Sequence, residues 1–258
     1  MKRFLCLFVA FGLFCVLFPG CAKEKGQLEE IQARGELRVG VKLDVPYFGY
    51  QNPQTGQVEG LEVDIARELA NRILGNSSAL KPLGVTALTR DALLSNGEID
   101  MIIATFTITE PRKELMNFSQ PYYTDQLGFM VDKDSGIEAL VDLEGKTLGV
   151  TLNSTAYDQF SEKPEQVAHG IILKGYASYP EVRAALMAGE IDAFSTDKSI
   201  LYGYLDENTV LLAEGVNSQP YGIATPLEDK VFSDYINTQL QEMKADGTLD
   251  QILERWLK

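Results

Sequence analysis

The tetrapeptide Gly-Glu-Ile-Asp occurs twice in the chain, as Gly97–Asp100 and as Gly189–Asp192, and its surroundings match as well. Each copy follows a helix-like run and precedes an apolar one, Met101–Ala104 in the first and Ala193–Ser195 in the second. Glycine takes the left-handed conformation that ends a helix without strain. A short apolar run of this kind is typical of a buried parallel strand. The repeat therefore predicts two similar helix–strand units.

Polar residues follow each predicted strand, at the place where open α/β sheets bind their ligands. The first strand runs into Thr105–Arg112, which ends in a cation, and the second into Thr196-Asp197, which ends in an anion. Two similar lobes that face each other across such residues would suit a zwitterionic ligand.

Strands and helices alternate along the chain, which predicts an α/β fold with mostly parallel sheets. Two extended segments, near Tyr122–Gln126 and Asn217–Gly222, bracket the middle of the chain. We expect two lobes joined by a two-strand hinge, with residues 29–124 and 220–258 in the first lobe and residues 125–219 in the second. Ligand sites favour the cleft between such lobes.

Residues 1–20 have the pattern of a secretory signal, a basic start followed by the apolar run Phe4–Phe18. That run is shorter than the about 20 residues that a membrane helix needs. Gly20-Cys21 resembles the end of a bacterial lipoprotein signal, which implies a lipid-modified Cys21 and a tether over residues 21–28. The other two cysteines, Cys6 and Cys15, lie within the signal. Cys21 would then be the single cysteine of the mature chain, and lipidation would explain its presence. We expect a membrane-anchored protein of the periplasm or cell surface; an ordinary exported protein with a chance cysteine is the alternative.

Composition argues against several classes of partner. The formal net charge of −14 at pH 7 leaves no basic stripe for nucleic acid. A single histidine, His169, and the lack of a cysteine cluster make a transition-metal site improbable. Nucleophile motifs, phosphate loops and dinucleotide fingerprints are missing from the sequence. We expect a small-molecule ligand and no cofactor.

The stretch Ala104–Arg112 has the residues of a carboxylate receptor. Thr109 can cap a helix that begins at Glu110. Pro111 would lie in the first turn of this helix, where proline is tolerated. Free N–H groups at that end, the threonine hydroxyls and the Arg112 guanidinium would together bind a carboxylate. The alternative, which the residues alone leave open, is that Thr109 only caps and that Arg112 is a solvated charge.

Followed by Asn117–Tyr123, this stretch resembles the signature of the periplasmic amino-acid-binding proteins of ABC importers. The resemblance extends from Leu37 to Trp256 and implies the type II two-lobed periplasmic-binding-protein fold, a membrane permease as partner, and a non-enzymatic monomer. It also implies roles for single residues. Arg112 would bind the α-carboxylate of the ligand with Thr107 as its partner, and Thr105 and Phe106 would supply a backbone contact to the ammonium and a pocket wall.

The second lobe would supply the remaining contacts. Asp197 matches the aspartate that accepts the ligand ammonium in this family, although it could also cap the helix that follows it. The polar loop Asn153-Ser154-Thr155 would close over the α-carboxylate, and Tyr221 lies in a stretch, Gln219–Gly222, that also matches.

The subgroup that binds aspartate or glutamate is the one this chain resembles most. Lys42 ends the first strand where acidic-amino-acid binders place a cation, and Arg90 matches an arginine that holds the side-chain carboxylate. Ordinary surface charge is the alternative for both residues. The resemblance predicts an extracytoplasmic receptor that captures an acidic amino acid and delivers it to a permease. Competing interpretations are a binder of another polar amino acid, a dehydratase-type enzyme on the same fold, and a sensor or lytic module.

Overall fold

The computed structural model describes residues 26–257. The predicted signal, Cys21 and most of the tether lie outside these described residues. The helices are α1 Gln27–Arg34, α2 Leu61–Leu74, α3 Arg90–Ser95, α4 Glu110–Lys113, α5 Thr155–Glu162, α6 Tyr179–Met187, α7 Lys198–Tyr204, α8 Lys230–Ala245 and α9 Thr248–Trp256. The strands are β1 Leu37–Val41, β2 Asp44–Val45, β3 Gly49–Gln51, β4 Val58–Glu59, β5 Leu80–Gly84, β6 Met101–Ile102, β7 Met116–Phe118, β8 Tyr123–Asp132, β9 Thr147–Thr151, β10 Ile172–Tyr176, β11 Ala193–Asp197, β12 Thr209–Leu211, β13 Val216–Tyr221 and β14 Ala224–Pro226.

Two larger sheets organise the chain into two lobes. The sheet of the first lobe has the strand order β5-β1-β6-β14-β7, and that of the second lobe has the order β10-β9-β11-β8-β12, with β13 also paired to β8. The pairs β1–β5, β1–β6, β9–β10 and β9–β11 are parallel, as the sequence predicts. Outside the small sheet β2-β3-β4, each antiparallel pair of these strands includes β8 or β14. The two-lobed α/β fold is confirmed.

The repeated tetrapeptide has the same structure in both lobes. Gly97 and Gly189 follow α3 and α6 with φ angles of 69° and 70°, the left-handed conformation predicted for a helix end. The carboxylate of Asp100 accepts the backbone N–H of Arg38 at 2.8 Å, and that of Asp192 accepts the N–H of Thr147 at 2.8 Å. Each aspartate thereby fastens its unit to the neighbouring parallel strand.

The isoleucine of each repeat lies against a glycine of that same neighbouring strand. A Cβ atom on Gly40 of β1 would come within 2.7 Å of Ile99 Cδ1, and one on Gly149 of β9 within 2.3 Å of Ile191 Cδ1. Both isoleucines are buried. In both lobes the isoleucine of the repeat therefore packs closely on the neighbouring parallel strand, where a glycine leaves room for it.

The two crossings pair with each other. Residues at the start of β8 lie opposite the end of β13 in antiparallel register, from Tyr123 beside Tyr221 to Gln126 beside Ser218. They pass between the sheets as one two-stranded ribbon, which is the connection that the sequence predicts. Within residues 26–257, no helix combines the length and the apolar character that are needed to cross a bilayer.

Candidate functional site

The loop after β6 begins with an unusual backbone conformation. Thr105 has a φ angle of 43°, which is uncommon for a residue other than glycine. Its N–H donates to Glu62 Oε1 at 2.5 Å, and the carbonyl of the next residue, Phe106, accepts from Gly222 N at 3.0 Å. Helix α2 and the second crossing thus hold this turn in place, since uncommon conformations persist only when their surroundings fix them.

Arg112 folds back over this loop from α4. Thr109 caps the helix, since its Oγ1 accepts from Arg112 N at 3.4 Å. The guanidinium donates to the Thr107 carbonyl at 2.9 Å and its Cζ lies 4.6 Å from the centre of the Phe106 ring. Burial lowers the pKa of Arg112 to about 10, so it stays protonated at neutral pH. Arg112 is therefore half-buried against the loop and Thr109 acts as a cap, while the binding of a carboxylate by Arg112 stays a prediction. Because α4 has four residues, the guanidinium rather than the helix end carries the positive charge.

Thr107 and Thr155 meet through a glutamine that sequence reasoning did not single out. Thr107 Oγ1 donates to Gln219 Oε1 at 2.9 Å, and Thr155 Oγ1 of the second lobe donates to the same oxygen at 2.8 Å. Gln219 belongs to β13 and is 3% exposed. One amide oxygen therefore joins the two lobes at the place where the resemblance puts the α-carboxylate.

The other two residues of the polar loop have different tasks. Ser154 caps α5, because its hydroxyl accepts from Tyr157 N at 3.1 Å and donates to the Thr151 carbonyl at 2.6 Å. Asn153 is exposed, and its Nδ2 donates to the Ala87 carbonyl of the first lobe at 2.6 Å. The side chains of Ser154 and Asn153 are thus used for helix capping and for contact between the lobes.

Asp197 is the buried anion of the second lobe, 4% exposed at the end of β11. It occupies the N-cap position of α7, but its side chain makes no capping hydrogen bond, so the capping alternative is wrong. Its Oδ2 accepts from the Tyr221 hydroxyl at 2.5 Å, while its buried Oδ1 has no hydrogen-bond partner. Burial raises its pKa to about 7.

Lys42 and Arg90 are buried, so the surface-charge alternative is wrong for both. Lys42 Nζ lies 3.1 Å from Asp44 Oδ1 and 4.7 Å from the centre of the Tyr179 ring of the second lobe. Arg90 donates to the Ala104 carbonyl at 3.1 Å, and its Cζ lies 3.8 Å from the centre of the ring that Arg112 also contacts. Burial lowers the pKa of both cations.

Glu62 is a charged residue of the site that the sequence analysis did not single out. It lies in the first turn of α2, fully buried, and its Oε1 accepts from Thr105 N and from the Tyr122 hydroxyl at 2.6 Å. Its Oε2 is buried without a hydrogen-bond partner. Burial raises its pKa to about 7, against the hydrogen bonds and the charges of Lys42 and Arg90. The sequence indicated this burial in one way, because Glu62 lies between Leu61 and Val63 on the apolar side of the helix.

Further contacts close the cleft around these residues. The Tyr204 hydroxyl of the second lobe donates to the Asp44 carbonyl of the first at 2.5 Å. Tyr179, which covers Lys42, is 5% exposed. The sequence could not predict the role of either tyrosine, because each contacts a residue of the other lobe.

Buried polar atoms without hydrogen-bond partners gather at this cleft. Glu62 Oε2, Thr105 Oγ1, Thr151 Oγ1 and Asp197 Oδ1 are of this kind. Such atoms are costly unless something pairs with them. No group of three or more potential metal ligands occurs among residues 26–257.

Residues 37–258 match the family model of the bacterial extracellular solute-binding proteins, family 3. The chain belongs to this family. This solute-binding protein is 36% identical over 238 residues to the ABC transporter glutamine-binding protein GlnH of Bacillus subtilis (strain 168), with 91% of this chain and 86% of the relative covered. It is 41% identical over 206 residues to the glutamine-binding protein of Geobacillus stearothermophilus, with 79% and 77% covered. The glutamate-binding protein GluB of Corynebacterium glutamicum is 34% identical over 232 residues, with 85% and 77% covered.

Solved structures share the fold over most of their length. The solute receptor for L-cysteine of Neisseria gonorrhoeae superposes with a TM-score of 0.83 at 27% identity, covering 89% of this chain and 93% of that one. The ancestral amino-acid-binding protein AncCDT-1, described as a precursor of cyclohexadienyl dehydratase, has a TM-score of 0.80 at 28% identity, with 90% and 99% covered.

Proposed function

We propose that this protein is an exported receptor that captures an amino acid between its lobes and delivers it to an ABC-type permease. The observation that carries the proposal is the pair formed by Arg112 of the first lobe and Asp197 of the second. Asp197 is buried and Arg112 is half-buried, and each charge affects the pKa of the other. A zwitterion is the ligand that such a pair fits, because its two charges have opposite signs.

The α-carboxylate would bind the Arg112 guanidinium. The hydroxyls of Thr107 and Thr155 each have one proton to donate, so they would turn from Gln219 Oε1 to the carboxylate when the ligand binds. The α-ammonium would bind Asp197 Oδ1, which has no partner of its own. A bidentate guanidinium–carboxylate pair and a buried ammonium–carboxylate pair are both strong, charge-assisted contacts. Because the two residues belong to different lobes, the ligand would bind the closed arrangement better and shift the population toward it. The lobes, 29–124 with 220–258 and 125–219, would move about the paired crossings.

The ligand side chain would lie near Lys42 and Arg90, and we propose an acidic amino acid, aspartate or glutamate. A side-chain carboxylate buried in the cleft needs cations, since an unpaired one costs several kcal/mol. Glutamine is the second candidate. Two relatives are named for it, and Lys42 is already balanced by Asp44 at 3.1 Å, which lowers the demand for a third negative charge from the ligand.

Transport rather than catalysis is the activity we propose. The relatives reported above are named as binding proteins, and the dehydratase alternative rests on a structural relative described as a precursor of such an enzyme. Incubation of the protein with prephenate-like compounds should leave their concentration unchanged. Turnover with a rate proportional to protein would favour the enzyme.

Membrane attachment would come from Cys21. Lipid modification there would tether the domain through residues 21–28, and the first described helix begins at Gln27. A lipidated receptor stays beside its permease, which raises the local concentration of loaded protein.

The proposed function is tested by calorimetric titration of the common amino acids into protein that has been unfolded, dialysed and refolded to remove co-purified ligand. We expect micromolar or tighter binding of glutamate, aspartate or glutamine, and at least tenfold weaker binding of basic and large apolar amino acids. Failure of every amino acid to bind would refute the receptor function, and preference for a basic one would refute the assignment of the side-chain pocket.

A further inference from the structure

The two carboxyl oxygens of Glu62 differ in their hydrogen bonds. Its Oε1 accepts two hydrogen bonds, from Thr105 N at 2.5 Å and from the Tyr122 hydroxyl at 2.6 Å. Its Oε2 accepts none from residues 26–257, and the side chain is fully buried. A buried carboxylate oxygen without a donor is costly. It is also beside the loop that begins at Thr105, which the proposed function places against the ligand.

Three titratable groups face this carboxyl group. The charges of Lys42, after β1, and of Arg90, on α3, act on it, and the Tyr122 hydroxyl donates to it. The pKa of Tyr122 is raised well above its usual value, first by burial, so that hydroxyl stays neutral. Burial therefore favours the neutral form of Glu62, whereas the two cations favour its ionised form.

Those cations are themselves partly balanced by other carboxylates. Lys42 pairs with Asp44 at 3.1 Å, and Arg90 Nε lies 3.8 Å from Asp91 Oδ1. From the second lobe, Tyr179 and Asp197 also act on Arg90. An ionised Glu62 therefore adds a negative charge to an environment in which both cations already have partners.

We propose that Glu62 decides whether the site prefers a ligand side chain that ends in a carboxylate or one that ends in a carboxamide. This inference rests on the proposed amino-acid receptor. When Glu62 is protonated, its Oε2–H can donate to a ligand carboxylate. When it is ionised, Oε2 repels a carboxylate and accepts instead from a carboxamide N–H. A carboxamide has an NH2 donor where a carboxylate has an acceptor oxygen. A site built to hydrogen-bond one of these groups discriminates strongly against the other.

A proton then links the choice of ligand to pH. Because burial raises the pKa of Glu62 to about 7, the charge of the ligand-free site changes around neutral pH. Binding of glutamate above that pH must bring a proton to Glu62, whereas binding of glutamine need not. Each pH unit above 7 should then lower the ratio of glutamate affinity to glutamine affinity by up to about tenfold.

The test uses calorimetric titration of L-glutamate and L-glutamine at pH 6, 7 and 8 into wild type, Glu62→Gln and Glu68→Gln. In Glu62→Gln, the amide oxygen can still accept from Thr105 N and Tyr122, and the amide N–H can donate as the protonated acid does. We expect this variant to keep the low-pH affinity ratio at every pH, so that its ratio at pH 8 exceeds that of wild type by about tenfold. Glu68→Gln, on the same helix but paired with Arg72 at the surface, should behave as wild type.

The outcomes separate the possible explanations. If Lys42 rather than Glu62 titrates, Glu62→Gln will still show a pH-dependent ratio, and the inference is overturned. A wild-type ratio that is constant within about twofold from pH 6 to 8 overturns it as well, while binding of both ligands would leave the proposed function standing. If neither ligand binds, the inference fails, and titration of the other amino acids then decides the proposed receptor function separately.

A second measurement is independent of how well Glu62→Gln folds. Titration of wild-type protein at pH 8 in buffers of different ionisation enthalpy counts the protons taken up with each ligand. Glutamate should take up more than glutamine, by a difference approaching one proton per site. Equal proton counts would contradict the inference, because a purely structural Glu62 has no reason to distinguish the two ligands.

Discussion

Replacing Asp197 by asparagine should stabilise the free protein and weaken ligand binding. Asparagine keeps an oxygen for the Tyr221 hydroxyl, which donates to Asp197 at 2.5 Å, and it removes a buried charge. Burial raises the pKa of Asp197 from its ordinary 3.8 to about 7. A group whose pKa is raised on folding contributes stability that is fully present below about pH 4 and is lost as the pH rises through 7. At pH 8 the ionised aspartate therefore costs up to about 4 kcal/mol of unfolding free energy, at about 1.4 kcal/mol per pKa unit.

Urea unfolding of ligand-free wild type, Asp197→Asn and Asp250→Asn at pH 5 and pH 8 measures the first effect. The buried variant should gain unfolding free energy at pH 8, and the gain should shrink toward pH 5; Asp250 is exposed on α9, so its variant should match wild type at both. Calorimetry measures the second effect. Removal of one partner of a desolvated charge pair costs about 2–5 kcal/mol, which is roughly 30-fold to several thousand-fold in affinity. A variant that is less stable at pH 8, or that binds within about threefold of wild type, would refute the role given to Asp197.

Further predictions concern Arg112, the contact between the lobes, their closure, and the lipid anchor expected from the sequence. Arg112→Ala should retain the circular dichroism of the wild type and lose at least about 30-fold in affinity, whereas Lys113→Ala, its exposed neighbour, should bind normally. Tyr204→Phe removes the hydrogen bond to the Asp44 carbonyl and no proposed ligand contact, so a loss of about threefold to tenfold, from about one neutral hydrogen bond, is expected if closure is coupled to binding. Small-angle scattering should show compaction with ligand, and an unchanged radius of gyration at saturation would count against the hinge. Cys21→Ala should move the exported protein from the membrane fraction to the soluble fraction, and continued membrane association would contradict the lipid anchor.

The fold was predictable because its determinants are local. Gly97 and Gly189 end helices in the left-handed conformation, and each repeat then continues into a parallel strand. The alternation of strands and helices between these landmarks leaves few topologies open. The pairing of the two crossings was equally accessible, because both are extended segments at the ends of the middle portion.

The site was predictable only in part, because burial and partners come from distant segments. Arg112 and Asp197 follow repeated strands, so topology placed them at the cleft. Glu62 looks in sequence like one of the acids of an amphipathic helix, and only the fold shows that it is buried beside Thr105. Gln219 appears in the sequence analysis only as part of a motif, since its importance lies in binding two hydroxyls that precede it by 112 and 64 residues in the chain.

The polar loop makes contacts that the sequence did not predict, and its binding of a ligand stays a prediction. Its three residues were all expected at the ligand, yet Ser154 caps α5 and Asn153 contacts Ala87 of the other lobe. A capping serine and a ligand-binding serine look alike in sequence because both precede a helix. Only Thr155 shares a partner with Thr107 of the first lobe.

A crystal structure of the protein with L-glutamate or L-glutamine, whichever binds more tightly, would show whether the ligand joins the two lobes. We expect one ligand molecule between the lobes, with its α-carboxylate about 3 Å from the Arg112 guanidinium and its ammonium about 3 Å from Asp197 Oδ1. A ligand bound elsewhere, or one whose ammonium and carboxylate contact neither residue, would contradict it.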